Sequence, residues 1–116
     1  MTALHGLGSA VVLGAALLLA ITAGIAAWLG GAPWVRMAGT VVTVLVGAEV
    51  ILGAIAWIGG DRPSEALHYL YAIAALGAVP LAATFASEAP PRPRATVLAV
   101  AGLIVAVLVW RLASTG

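Results

Sequence analysis

Apolar residues fill this chain in four long runs, and most of its polar residues fall between them. The first run covers about 3–29 and stops at the breaker Gly30-Gly31-Ala32-Pro33. The second covers about 35–58 and ends at Gly59-Gly60-Asp61. The third covers about 64–87 and opens with Pro63-Ser64-Glu65, where Ser64 or Asp61 suits a helix cap and Pro63 blocks backward extension. The fourth covers about 94–113, after the turn Ala89-Pro90-Pro91-Arg92-Pro93. Each run reaches the roughly 20 residues that a helix needs to cross a bilayer. The connections are short, so successive helices are expected to lie antiparallel. The fold class predicted is all-α: a four-transmembrane-helix up-and-down bundle forming a single domain over residues 1–116.

This order places the first and third turns on one side of the membrane and the second turn with both termini on the other. The first side carries Arg36, Arg92 and Arg94; the second carries Arg62 and Arg111, with Asp61 and Glu65. The positive-inside rule then puts both termini outside. Trp28 and Trp34 would mark the inner interface, and Trp57, Tyr69, Tyr71 and Trp110 the outer one. The first run is too long for a signal-peptide core and has no basic start, so a retained helix is expected in a prokaryotic cell membrane.

Composition narrows the function classes. Of 116 residues, 64% are hydrophobic and 8% charged, and the mean hydropathy is +1.19. Such a chain leaves no room for a soluble domain. A formal charge of +1 gives no electrostatic footprint for nucleic acid. With no cysteine, disulfides, thiolate metal sites, iron–sulfur clusters and covalent c-type haem are excluded. No Gly-rich phosphate loop, nucleophile triad or paired carboxylate is present, so hydrolase and nucleotide chemistry are not expected.

The candidate chemistry lies in two histidines. His5 and His68 are the only ones in the chain. Each is predicted one turn inside a helix start, on the first and third helices, which run parallel and therefore begin on the same side. Two imidazoles at matching depth suit the two axial positions of a haem iron, an arrangement for electron transfer. Gly8 and Ser9 follow His5 by three and four residues, and Ala72 and Ala75 follow His68 by four and seven, so each set shares its histidine's face. Small residues there leave room for a flat macrocycle, and Gly53 adds to it from the second helix. Arg62 and Arg111 are placed to meet the haem propionates. Two histidines are too few for a closed zinc or copper site, and Glu49 is expected about three turns below their level.

Glu49 is expected near the bilayer centre. An intramembrane carboxyl usually faces the bundle interior. It can serve as a proton or quinol relay, or as packing glue through a hydrogen bond to Thr22, Thr43, Thr84 or a backbone carbonyl. Pro80, inside the third helix, is expected to kink it.

The stretch Gly47-Ala48-Glu49-Val50-Ile51-Leu52-Gly53, followed by Leu67-His68-Tyr69-Leu70 and preceded by Leu4-His5, resembles one half of the haem A synthase family. Those proteins have eight spans in two four-helix halves, each with a histidine pair on the outer side. The resemblance covers the first three helices. It implies His5 and His68 as ligands of a non-covalent b-type haem. It does not imply haem hydroxylation: Met1 stands where the catalytic half carries glutamate, and Glu49 stands where the family has glutamine. A half-size chain is also suited to pair with itself or enter a larger membrane complex.

Read together, these features make the chain a small membrane-embedded b-type cytochrome rather than an enzyme, for electron transfer or haem handling near the outer face, with a quinone or other redox partner. The competing readings are a cofactor-free membrane subunit or assembly factor, and a small oligomeric transporter coupled through Glu49.

Overall fold

The computed structural model describes residues 2–60 and 66–115, and the side chains of 6–60 and 66–114. The described residues form α1 (Thr2–Trp28), α2 (Trp34–Ile58), α3 (Leu67–Phe85) and α4 (Pro91–Thr115). All four are long and apolar enough to cross a membrane. The expected all-α bundle is therefore the observed fold, measuring 47 × 21 × 19 Å along its principal axes.

The neighbours in the bundle are α1–α2, α2–α3, α3–α4 and α4–α1, with α4 packed most extensively on α1. The diagonals are unequal. Helices α2 and α4 touch across the middle, whereas α1 and α3 have no Cα pair within 8 Å among the described residues.

Residue size sorts inside from outside. The packed interior is built mostly from small side chains, among them Ala16, Ala23, Ala75, Ala101, Val42 and Val105, with Leu19 and Leu98 as its large members. Leu18, Ile21, Val44, Ile51, Ile73 and Leu81 point outward. This is the arrangement expected in lipid, where large side chains gain nothing by leaving an apolar solvent and small ones let backbones approach. Gly102 on α4 gives the closest example: a Cβ there would lie 3.0 Å from the Ala20 amide nitrogen and 3.1 Å from the Ala16 carbonyl oxygen of α1.

Helix ends differ from the sequence expectation in two places. Helix α4 begins at Pro91, not near 94, with the Arg94 amide donating to the Pro90 carbonyl at 3.0 Å. Proline has no N–H to offer, but the first turn of a helix needs none, so Pro91 and Pro93 fit within it. Helix α3 runs from Leu67 to Phe85, shorter than the expected 64–87. The expected caps Asp61 and Ser64, with Pro63 and Glu65, lie outside the described residues. The helix continues through Pro80.

Helix α1 closes with two glycines at positive φ, Gly30 at 101° and Gly31 at 102°. The Gly31 amide reaches back to the Ala26 carbonyl at 2.6 Å and the Gly30 amide to Ala27 at 3.1 Å, the double bond pattern of a Schellman end.

Candidate functional site at the histidine end

Contacts between helices fix which ends lie together. The start of α1 meets α2 through Ser9 and Glu49. The end of α2 meets the start of α3 through the Trp57 indole, which donates to the Tyr69 hydroxyl at 2.9 Å. The end of α4 meets α3 where the Arg111 guanidinium lies 5.7 Å from the centre of the Tyr71 ring. One end of the bundle thus holds the starts of α1 and α3 and the ends of α2 and α4. The aromatic residues sort as expected: Trp57, Tyr69, Tyr71 and Trp110 belong to this end, and Trp28 and Trp34 to the other.

His68 is the second residue of α3, half-buried, rather than one turn inside it. Its ring stands edge-on to that of Tyr69, with centroids 6.5 Å apart and planes at 88°. His5 is the fourth residue of α1, and its side chain lies outside the described residues, as does Arg62. Ala72 is half-buried one turn beyond His68, Gly53 is half-buried on α2, and Arg111 is half-buried beside Tyr71.

Gly8 and Ser9 are not an open surface. The Ser9 hydroxyl donates to Oε2 of Glu49 at 2.7 Å. A Cβ on Gly8 would overlap Oε1 of that carboxyl and lie 2.7 Å from its Cδ. The room expected beside His5 for a macrocycle is filled at this level by the Glu49 side chain. Glycine at position 8 is what lets the carboxyl lie against the backbone of α1.

Glu49 itself is buried, 8% exposed. Its position differs from the expected one: it meets Ser9, four residues or about one helical turn beyond His5, not three turns away. The expected threonine partners are engaged elsewhere. Thr22, Thr43 and Thr84 donate to the Leu18, Gly39 and Pro80 carbonyls of their own helices, at 2.7, 3.0 and 2.9 Å. Counting depth from helix ends reveals the Ser9 pairing. Glu49 is nine residues from the end of α2 and Ser9 seven from the start of α1, so both lie roughly 10–14 Å below the same end.

The opposite end is built differently. Arg92 donates from Nε to the Ala27 carbonyl in the last turn of α1, at 3.0 Å. Arg94 reaches the Ala86, Ser87 and Ala89 carbonyls after α3, at 3.4, 3.1 and 3.0 Å. Arg92 thus adds a second donor to a carbonyl that already accepts from the Gly30 amide, and Arg94 ties down the turn that follows α3.

Among the described residues no three His, Cys, Asp or Glu side chains converge. A bare metal ion would need at least three such ligands. No protein-family model matches the chain, and no curated protein and no solved structure matches it either.

Proposed function

We propose that this chain is a small membrane-embedded haem protein, holding one b-type haem non-covalently between His5 of α1 and His68 of α3. The observation that carries the reading is the placement of the two helices. They begin at the same end of the bundle and occupy the diagonal on which no Cα pair lies within 8 Å among the described residues. The donor set is also apt: two imidazoles would hold the haem iron, and the chain has no thiolate to compete. Held there, haem would supply one-electron chemistry.

The protein's own residues divide the remaining work. Tyr69 packs edge-on against the His68 ring and restricts its orientation. Arg111, held over Tyr71, places a cation on the histidine side for a propionate. Ala72 and Gly53 keep side-chain bulk low around this level. Glu49 and Ser9 close the space beneath His5, so Gly8 and Ser9 act as support for α1 rather than as haem contacts. The role follows as electron transfer or haem handling at one membrane face.

The decisive measurement is an absorption spectrum of protein purified from haem-replete cells. The expected result is a sharp low-spin Soret and alpha band, lost in both His5→Ala and His68→Ala. Colourless wild-type protein overturns the proposal. A second reading has its own observation in the buried Ser9–Glu49 pair: a proton-coupled transporter. Colourless protein whose proton-coupled uptake disappears in Glu49→Gln would establish it instead.

A further inference from the structure

A shallow, largely open groove lies between α1 and α4 at the arginine end of the bundle, far from the histidines. Its floor is made of small residues, Gly24, Ala27 and Ala99, and Val100 lies at its inner limit. Arg92 stands at its outer limit with Trp28, a residue 84% exposed. From Arg92 to Val100 is eight residues of helix, so the groove reaches about 12 Å inward.

The lining changes character along that length. Thr96 is a lining residue, but its hydroxyl donates to the Arg92 carbonyl at 3.0 Å. The inner part is otherwise apolar. Arg92 is anchored through Nε on the Ala27 carbonyl, which fixes its guanidinium at the groove mouth. Its two terminal nitrogens carry the other four N–H donors of the fork. Arg36 and Arg94 share this end with one carboxylate, Glu88, so the local field favours an anion. An occupant matching this surface has a single anionic group at interface depth and a hydrocarbon chain running inward.

We propose that the groove binds an anionic phospholipid, with its phosphate on Arg92 and the first part of an acyl chain over Gly24 and Ala99. The site is independent of haem. Gly24 makes it testable, because a Cβ added there meets nothing within 4 Å. Gly24→Leu therefore adds bulk to the groove from a position whose Cβ is unobstructed, and circular dichroism checks that the fold is kept.

The experiment is native mass spectrometry of the full chain in detergent, with phosphatidylglycerol or phosphatidylcholine added. Wild type is expected to retain phosphatidylglycerol about fivefold better, the effect of one basic residue near a membrane surface. Gly24→Leu should abolish retention of both lipids. Arg92→Gln should equalise them, and Arg92→Lys should keep the preference. Excess inorganic phosphate should leave the bound lipid in place, since it has no chain to fill the groove. Equal retention of the two lipids by wild type overturns the proposal, as does unchanged retention in Gly24→Leu or displacement by phosphate alone.

Discussion

The two ends of this bundle are tied together in different ways. At the arginine end, side chains bond to backbone: Arg92 and Arg94 close the last turns of α1 and the segment after α3, and Gly30 and Gly31 turn the chain back. Any sequence with helices ending there would need similar partners for its carbonyls. At the histidine end, side chains bond to side chains across helices: Ser9 to Glu49, Trp57 to Tyr69, and Arg111 over Tyr71. These contacts complete no helix terminus. They set the rotation and depth of one helix against the next, which is what a site shared by several helices requires. The arginine end fixes the chain path, and the histidine end fixes the relative placement of side chains.

The largest expected effect tests the first half of that contrast. Gly31 has φ at 102°, and a Cβ there would overlap the backbone of Pro91. Gly31→Val should destabilise the whole bundle by about 3 kcal/mol, through backbone strain and a clash with no flexible side chain to yield. Thermal unfolding in detergent measures it, and all probes should shift together. A loss confined to one helix pair would break the comparison.

Gly8→Val should have a smaller and more local effect, about 2 kcal/mol, because the Glu49 side chain can swing away where the Pro91 backbone cannot. Its signature is loss of the Ser9–Glu49 hydrogen bond, read as a shift of the Glu49 carboxyl stretch in the infrared. The band is assigned by its disappearance in Glu49→Gln. An unchanged carboxyl band in Gly8→Val would separate Gly8 from the site.

The smallest effect is expected for Trp57→Phe, which removes the donor to Tyr69 at an exposed position. It should change stability by about 0.5 kcal/mol and leave the melting transition cooperative. A loss as large as that of Gly8→Val would show that the α2–α3 contact, not the α1–α2 contact, organises the histidine end.

How much of this was legible beforehand depended on whether the signal was local. Gly30-Gly31 and Gly59-Gly60 marked the ends of α1 and α2, and the aromatic residues fell at the ends assigned to them. Pro91 and Pro93 were less legible, because proline reads as a breaker although the first turn of a helix accepts it. Arg36, Arg92 and Arg94 could be counted as charges, but the carbonyls that Arg92 and Arg94 reach are visible only in the folded chain.

By itself the sequence determined four apolar helices, their alternating order and the ends at which Arg36, Arg92, Arg94 and Arg111 lie, because hydropathy and helix length are read along one segment at a time. Only the tertiary structure decided that Glu49 turns to Ser9 and Gly8, that α2 and α4 close one diagonal while α1 and α3 stay apart, and that a groove opens beside Arg92. The physical reason is that these helices are apolar on nearly every face. A helix with one apolar stripe announces which side it buries, but a helix apolar all round does not. Its rotation is settled by the fit of small residues against neighbours, and that fit exists only once all four helices are in place.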